Sequence, residues 1–225
     1  MPPNLTQSIE DYLKAIYELT VNEERASTTD LANYLQVTPA SVTGMLKKLA
    51  KTDPPLVKYK KHRGVMLSED GMKIALETIR HHRLLELFLH QMLDYPWDEV
   101  DEEADRLEHV ISEKFEEKID KALGHPDFDP HGDPIPGKDL SLPHTATTPL
   151  NDLRAGQVAV IKRVRDTDSE LLRHLHDIGV VPGTQVTIKD FSEFDGNSHL
   201  QIKGESDVIV LGAKVTKQIF VEVLE

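Results

Sequence analysis

The amino-acid sequence predicts an α+β protein built as a winged helix-turn-helix, then an all-α domain, then a small β-barrel. Three observations predict this order. Apolar residues at helical spacing with tight turns fill the first third of the chain, two longer amphipathic helices follow, and short strand-like runs fill the last third. The predicted domain boundaries are 1-71, 72-145 and 150-225, with a Pro-rich tether over 124-149.

The first part has the pattern of helices joined by a tight turn. Residues 7-20 carry apolar side chains at near-helical spacing and predict an amphipathic helix. Thr28 or Thr29 can cap a second, short helix. The pair Thr38-Pro39, an N-cap followed by Pro at the first helical position, opens a third helix, so the sequence predicts a helix-turn-helix.

A basic hairpin follows the third helix. Residues 56-59 and 65-67 are strand-like, and the turn between them ends in Gly64. A hairpin in this position makes the unit a winged helix. Seven cations stand between positions 47 and 63 against the single Asp53: Lys47, Lys48, Lys51, Lys58, Lys60, Lys61 and Arg63.

Two longer helices and a Pro-rich segment make up the middle part. Ser68 begins the first of these helices and Pro96 ends it. Residues 97-123 predict one long helix, whose apolar stripe suits packing against the previous helix or against its copy in a second subunit. Six of the 13 Pro lie between Pro126 and Pro149, so this segment is predicted to be an irregular tether.

The last third alternates short strands with one helix. A helical insert over 168-178 is closed by Gly179. So many short strands in so short a segment predict a small barrel. The strand-like runs are 157-164, 185-190, 199-203, 208-211 and 219-224.

The composition excludes several classes of protein. The 225 residues are 39% hydrophobic and 29% charged, with a formal net charge of -13 and no Cys. Without Cys there is no disulfide framework, thiolate zinc site or thiol nucleophile, so any metal must be held by His and carboxylates. No apolar run approaches the ~20 residues of a membrane span and no signal-peptide pattern opens the chain, which predicts a cytoplasmic protein without membrane contact.

The third helix and the wing have the residue types of a DNA-binding surface. Small polar residues stand at the helix N-terminus, where a recognition helix meets the major groove, and cations stand near its end and in the hairpin. The alternative is a scaffold hairpin with solvated surface cations. The predicted DNA-contacting residues are Thr38, Pro39, Ala40, Ser41, Thr43, Lys47, Lys48, Lys60, Lys61 and Arg63.

Acidic residues and His also occur at metal-ligand spacing. Asp105, Glu108 and His109 stand at i, i+3 and i+4, which on a helix places three potential ligands on one face. An oxygen-rich set with one imidazole suits Mn(II) or Fe(II). The alternative is that a helix with many acidic residues meets a His by chance.

A second pair of potential ligands, His82 and Glu86, has the same i, i+4 spacing. Asp129 and His131, which stand two residues apart in the Pro-rich segment, are possible additions to this pair. Here too, chance is the alternative.

Several segments together are more specific than any of these features alone. They read EDYL at 10-13, HRLLE at 82-86, EH at 108-109 and GDPIP at 132-136. In this order, with a winged helix, a helical part and a barrel, the chain resembles the diphtheria toxin repressor family of metal-dependent regulators over essentially its full length. LHDIGVVPG at 175-183 is similar to the SH3-like module of these proteins and of ferrous-iron transport proteins.

The resemblance implies a primary metal site with one ligand from the first helix and three from the long helix. The matching positions are Asp11, Asp105, Glu108 and His109. Iron-sensing members carry Met and Cys where Asp11 and Asp105 stand here. Oxygen ligands at both positions imply the manganese-sensing branch and Mn(II), with Fe(II) as the alternative.

The resemblance also implies a second metal site. Asp129 occupies a position where Cys is common, and Asp101, which stands where an iron-sensing member has a His ligand, is left out of the set. The residues that map to this site are His82, Glu86, Asp129, His131 and one barrel carboxylate, Asp168 or Glu170.

Three functions are compatible with these features. The favoured one is a homodimeric, Mn(II)-responsive transcription factor that binds palindromic double-stranded DNA and represses metal-uptake genes, with the ion clamping the DNA-binding domain onto the dimer scaffold. A metal-dependent hydrolase is disfavoured, because no separate nucleophile or general base stands near the ligands, and no catalytic residue is predicted. The third is a winged-helix regulator whose barrel binds an organic ligand or a peptide.

Overall fold

The computed structural model of the chain describes residues 5-21, 24-165 and 168-224. It confirms the predicted α+β class within these ranges. No helix there is long and apolar enough to cross a bilayer. The chain divides into two compact units: the first comprises Met1–His81, Glu108–Ile111 and Lys138–Ser141, and the second His82–Leu107, Ser112–Gly137 and Leu142–Glu225.

Three helices and a hairpin form most of the first unit. They are α1 (Gln7–Thr20), α2 (Thr28–Tyr34), α3 (Pro39–Leu49), β1 (Val57–Lys60) and β2 (Gly64–Leu67). Thr38 caps α3 as predicted, because its side chain accepts a hydrogen bond from the Ser41 N–H. The cap of α2 is Ser27, which accepts from the Asp30 N–H, rather than Thr28 or Thr29.

One apolar core joins these elements, and the wing is attached to it by backbone pairing. Leu13 of α1, Leu31 of α2 and Leu46 of α3 are fully buried in this core. The backbones of Ala26 and Val65 exchange two hydrogen bonds beside the hairpin. A Cβ atom on Gly64, whose φ is +79°, would lie 2.5 Å from the Ala26 carbonyl oxygen, so only glycine fits at this approach.

The long helix predicted over 97-123 is broken in the structure. The preceding α4 spans Glu69–Leu93, and two short helices follow it, α5 (Val100–Leu107) and α6 (Glu113–Ala122). The chain turns at 108-110, and Ser112 begins α6 by accepting a hydrogen bond from the Phe115 N–H. The prediction of one helix was wrong. The apolar spacing continues without a break past Ser112, but the side chain of this residue caps a new helix.

The Pro-rich segment is irregular, but part of it is buried. Between 124 and 147 the chain forms neither helix nor strand, apart from an isolated pairing of Phe128 with Pro134. Residues 129-136, called the Pro-rich loop below, are mostly buried within the second unit. The segment is thus irregular as predicted, and the Pro content did not indicate that these residues are buried.

The second unit contains a six-stranded antiparallel sheet in the order β3-β8-β4-β5-β6-β7. The strands are β3 (Thr148–Pro149), β4 (Val158–Val164), β5 (Gln185–Phe191), β6 (Ser198–Ile202), β7 (Ile209–Leu211) and β8 (Ile219–Leu224), with α7 (Ser169–Asp177) and α8 (Ala213–Thr216) between them. Irregular register in β4 and β5 bends the sheet. We call residues 148-224 the strand domain.

The core of the strand domain extends beyond its own strands. Ile161, Ile188 and Leu200 are buried in it, together with Leu175 of α7. Trp97, which precedes α5 in sequence, belongs to the same core and is 4% exposed. The Trp97 indole therefore packs the helical part of the second unit against the strand domain.

Candidate metal centres and DNA-binding surface

Three ligand-type side chains of the first unit converge, one from α1 and two from the turn at 108-110. The Nε2 atom of His109 lies 2.9 Å from Oδ1 of Asp11 and 3.3 Å from Oε1 of Glu108. Glu108 is 2% exposed. Two carboxylates and an imidazole whose ligand atoms all lie within 4.8 Å can hold a divalent cation. We call Asp11, Glu108 and His109 the primary group.

A neighbour that the sequence analysis missed orients His109. Its Nδ1 atom lies 2.6 Å from Oε2 of Glu10. When the Nδ1–H donates to this carboxylate, Nε2 presents its lone pair towards Asp11 and Glu108, as a metal-binding His does. Glu10 is 99 positions away in sequence from His109, and no local pattern links the two residues.

The two carboxylate oxygens of Glu108 contact different partners. Its Oε1 faces His109, while Lys14 of α1 donates a hydrogen bond of 2.9 Å to its Oε2. Lys14 follows Glu10 by one helical turn and was also missed. Its ammonium group balances part of the negative charge of the primary group in the metal-free protein.

The groups around His109 favour the protonated, positively charged form of its imidazole. Burial opposes a charged imidazole and lowers the pKa of His109. Hydrogen bonds with Asp11 and Glu10 and the charge of Glu108 outweigh burial, so that the pKa is raised overall. In the metal-free protein a proton on His109 supplies positive charge that the surrounding carboxylates attract.

Asp105, the fourth predicted primary ligand, lies in the second unit. Its Oδ1 atom is 3.2 Å from Nδ1 of His82, and its side chain is 57% exposed. Glu108 and His109 lie in the turn that follows α5, so the three residues do not share one helix, and ligation by Asp105 stays a prediction. The expected helical geometry of this site was therefore wrong.

A second group, called the buried group, consists of Glu86 on α4 with Asp129 and His131 of the Pro-rich loop. The three residues are 0%, 5% and 0% exposed, and their ligand atoms lie within 4.8 Å of one another. Oδ1 of Asp129 accepts hydrogen bonds from the backbone N–H groups of His131 and Asp133, at 2.8 and 2.9 Å. These bonds fix the ligand-bearing end of the loop.

The remaining oxygens of the buried group fit a divalent cation. Among the described residues, neither oxygen of Glu86 nor Oδ2 of Asp129 takes part in a hydrogen bond, since the His82 and His131 nitrogens are 3.6 and 3.5 Å from Glu86. The Arg83 guanidinium lies 3.7 Å from Oδ2 of Asp129, also beyond hydrogen-bond distance. Buried carboxylate oxygens are costly unless a positive partner bonds to them.

The surroundings shift the pKa values of the two buried carboxyl groups in opposite directions. Burial by itself would raise the pKa of Glu86, but the charges of His82 and His131 lower it overall. Burial, with the charge of Glu86, holds the pKa of Asp129 well above its usual range. A bound cation would reverse the balance at Asp129 by favouring its carboxylate form.

His82 belongs to an overlapping group with Glu86 and Asp101. Its Nε2 atom lies 3.6 Å from Oε1 of Glu86 and 3.3 Å from Oδ1 of Asp101. The structure thus brings in Asp101, which the sequence analysis left out, although its side chain is 53% exposed.

The strand-domain carboxylates have a different placement from the one expected. Oδ1 of Asp168 accepts hydrogen bonds from the N–H groups of Glu170 and Leu171, so Asp168 is the N-cap of α7. Neither Asp168 nor Glu170 belongs to a group of potential ligands within the described ranges. The expectation of a ligand at Asp168 came from the resemblance and stays a prediction; in the structure this residue caps α7.

The residues predicted to contact DNA lie on α3 and the wing. Thr38, Pro39, Ala40 and Ser41 are exposed at the N-terminus of α3, while Thr43 is partly buried and donates a hydrogen bond to the Pro39 carbonyl. The five predicted cations are exposed, two near the end of α3 and three in or beside the hairpin turn: Lys47, Lys48, Lys60, Lys61 and Arg63.

Comparison with protein families gives three matches along the chain. Residues 4-65 match the iron dependent repressor N-terminal DNA binding domain, and residues 68-137 match the iron dependent repressor metal binding and dimerisation domain. Residues 148-223 match the FeoA domain. The three matches follow the order that the resemblance implied.

Individual relatives are similar over nearly the whole chain. The iron-dependent repressor IdeR of Mycobacterium leprae is 32% identical, over 91% of this chain and 93% of the relative. A solved structure described as a manganese-dependent transcriptional repressor complex with manganese is 35% identical, with a TM-score of 0.88, and the match covers 96% of this chain and all of that one. The manganese regulator SloR is 34% identical, with a TM-score of 0.76 and 99% of both chains covered. The chain therefore belongs to the iron-dependent repressor family of metal-dependent transcriptional regulators, which includes the diphtheria toxin repressor.

Proposed function

We propose that the protein is a manganese-responsive transcriptional repressor that binds a palindromic operator of metal-uptake genes as a homodimer. The observation that carries this proposal is the primary group, in which Asp11 meets Glu108 and His109. Asp11 is on α1, and the same helix buries Leu13 and Ile16 in the winged-helix core. A ligand set on this helix can therefore influence the position of the DNA-reading elements.

The donor atoms favour Mn(II) over Fe(II) as the regulating ion. The primary group offers carboxylate oxygens and one imidazole, and the chain has no Cys to supply a soft ligand. The relatives include proteins named for iron and for manganese, so their names support either metal. The preference for Mn(II) rests on Asp11 and Asp105, which stand where the resemblance gives Met and Cys to iron-sensing members.

The residues of the primary group have separable tasks. Asp11, Glu108 through Oε1 and His109 through Nε2 would hold the ion, which supplies a positive centre joining α1 to the turn at 108-110. Glu10 keeps the Nε2 atom of His109 available, and Lys14 holds the other oxygen of Glu108. The ion would replace the proton of His109 as the positive charge between the carboxylates.

DNA would be read by α3 and held by the wing. The N-terminus of α3 presents exposed small polar residues, which would face base edges. Lys47 and Lys48 at its end, with Lys60, Lys61 and Arg63 of the wing, would contact phosphates. Two such units in a homodimer would read half-sites about one helical turn apart.

We also propose that the buried group is a second metal site. Glu86, Asp129 and His131 would supply its ligands, with His82 at its border. Three of its carboxylate oxygens, both of Glu86 and Oδ2 of Asp129, have no hydrogen-bond donor among the described residues, which supports a structural cation at this place.

A pair of variants tests the proposed function. The metal-free wild type, His109→Ala and His174→Ala are titrated with Mn(II) while binding to a selected operator duplex is followed by fluorescence anisotropy. His174 is an exposed residue of α7 and serves as the control. We expect Mn(II) to tighten operator binding of the wild type and the control, and to leave that of His109→Ala unchanged. An equal response of all three proteins would exclude the primary group as the regulatory site.

A series of ions tests the choice of metal. Operator binding is measured at saturating Mn(II), Zn(II) and, without oxygen, Fe(II). We expect the largest activation from Mn(II), because activation depends on a full ligand set rather than on the tightest binding. Stronger activation by Fe(II) would assign the protein to iron sensing, and DNA binding independent of any ion would favour a regulator that senses another ligand.

A further inference from the structure

His131 of the buried group is held from the strand domain as well as from its own loop. Its carbonyl oxygen accepts a hydrogen bond of 2.8 Å from the N–H of Val164, the last residue of β4. Its own N–H donates to Oδ1 of Asp129. The backbone of this ligand is therefore fixed between the Pro-rich loop and an inner strand of the sheet.

The imidazole of His131 is fixed by Trp97. Its Nε2 atom lies 2.7 Å from the Trp97 carbonyl oxygen, to which only an Nε2–H can donate. Nε2 therefore keeps its proton, which leaves Nδ1, 3.5 Å from Oε1 of Glu86, as the nitrogen that can bind a metal ion once it is deprotonated. The Trp97 indole is packed in the core of the strand domain, with its ring 5.4 Å from that of His131.

Gly132 marks the closest approach between the Pro-rich loop and β4. A Cβ atom at this position would lie 1.9 Å from the Lys162 carbonyl oxygen and 2.8 Å from the Cα of Arg163. Beside it, Arg163 of β4 donates a hydrogen bond of 3.1 Å to Oδ1 of Asp133. A side chain at position 132 would force the loop away from the strand.

The other side of the loop is bonded to α4. The Arg83 guanidinium donates a hydrogen bond of 2.6 Å to the Pro134 carbonyl. Arg83 precedes Glu86, the ligand-type residue on the same helix, by three positions. The loop that carries Asp129 and His131 is thus bonded on one side to the helix of the third ligand and on the other to β4.

We propose that the strand domain positions His131 for metal binding, so that occupation of the buried group and attachment of β4 to the Pro-rich loop stabilise each other. This inference rests on the proposed second metal site. It assigns Val164, through its N–H, and Trp97, through its carbonyl and its buried indole, as positioning residues. The coupling is reciprocal, since whatever strengthens one of the two events must strengthen the other by the same factor.

Two glycine variants of the same segment test the proposal. Gly132 and Gly124 both have positive φ, +88° and +77°, but a Cβ at Gly124 meets nothing within 4 Å. Gly124→Ala therefore carries a similar backbone strain without the clash. We expect the wild type and Gly124→Ala to bind two Mn(II) ions per chain by equilibrium dialysis, and Gly132→Ala to lose at least about tenfold in affinity for one ion, within the usual range of coupling between sites.

Amide hydrogen exchange tests the same coupling without altering the loop. We expect Mn(II) to slow exchange of the Val164 N–H in the wild type. In Glu86→Gln, which weakens the buried group directly, that slowing should be lost while Mn(II) still occupies the primary group. Equal Mn(II) binding by both glycine variants, or an exchange rate at Val164 that does not respond to Mn(II), overturns the proposal.

The proposed function can fail separately from this inference. Operator binding is measured on the same Gly132→Ala sample, whose primary group is unaltered. If Gly132→Ala binds both Mn(II) ions as tightly as the wild type and still binds the operator in response to Mn(II), only the proposed coupling is contradicted. Loss of Mn(II) binding at the primary group in every protein, the wild type included, contradicts the proposed function itself.

Discussion

At the scale of single residues, the neighbours of the ligands decide how the primary group behaves. Asp11, Glu108 and His109 were predicted from a resemblance and from spacing, and they lie together. Glu10 and Lys14 were not predicted, because their partners are 99 and 94 positions away along the chain. Contacts of this kind depend on where the turn at 108-110 lies, and sequence periodicity does not determine that position.

Glu10→Gln tests the orientation of His109. Glutamine keeps an oxygen near Nδ1 but removes the charge that strengthens this hydrogen bond. We expect affinity for Mn(II) at the primary group to fall by about 10- to 100-fold, the usual effect of removing a partner of a metal-binding His. Calorimetric titration measures this loss, with the exposed Glu24→Gln as the matched control. Equal affinities in the two variants would show that Glu10 does not position His109.

Lys14→Met tests the charge balance of the metal-free protein. The substitution leaves Glu108, 2% exposed, without the ammonium that meets its Oε2. We expect the free energy of unfolding of the metal-free protein to fall by about 2 kcal/mol, the usual range for a buried group that loses a charged partner. Saturating Mn(II) should recover most of this loss. Urea unfolding measures it against the exposed Lys73→Met, and equal stability of both variants would contradict the assignment.

Proton release tests the environment of His109. Its pKa is raised above the ordinary 6.5 in the metal-free protein. The stability gained from protonated His109 is therefore present below the unfolded-state pKa and is lost as pH rises through the folded-state pKa. Mn(II) must displace this proton, so its affinity should fall as pH decreases through the same range. Calorimetric titration with Mn(II) in buffers of different ionisation enthalpy should detect proton release from the wild type, and this release should be absent in His109→Ala. Equal release by that variant would assign the proton elsewhere.

At the scale of elements, regular patterns were predictable and their interruptions were not. The helices of the first unit, α4, and all strands longer than two residues were predicted to within a few residues. β3 was missed, since Thr148–Pro149 has no alternating pattern. The break at 108-112 was missed because Ser112 can lie inside a helix as well as cap one. Whether the helix continues or ends here depends on tertiary contacts, such as that of His81 Nδ1 with the Glu108 carbonyl at 3.2 Å.

The wing supplies a prediction at this scale. Lys60, Lys61 and Arg63 are exposed around the hairpin turn. If each contacts one phosphate, replacing any of them by Ala should reduce the slope of log affinity against log salt by ~0.9 and weaken all DNA sequences alike. Lys189→Ala, on an exposed position of β5, is the control and should keep the wild-type slope. A changed base preference at constant slope would show that the wing reads bases instead.

At the scale of the whole molecule, an acidic protein has to approach a polyanion. The net charge is -13, while the cations of α3 and the wing are concentrated within residues 47-63. Ions bound to the carboxylates of both metal groups would reduce the repulsion between protein and DNA in addition to organising α1. The order of domains was predictable from pattern and resemblance, whereas the burial of the Pro-rich loop was not, because it depends on packing between distant segments.

The central claim is that ion binding at the primary group and operator binding are coupled, and one measurement tests it most directly. Mn(II) affinity is determined by calorimetry for the wild type and for Asp11→Asn, each with and without saturating operator duplex. By reciprocity, operator DNA should tighten Mn(II) binding to the wild type by about 5- to 150-fold and should leave that of Asp11→Asn unchanged. Mn(II) affinity of the wild type that is the same with and without DNA would contradict the account.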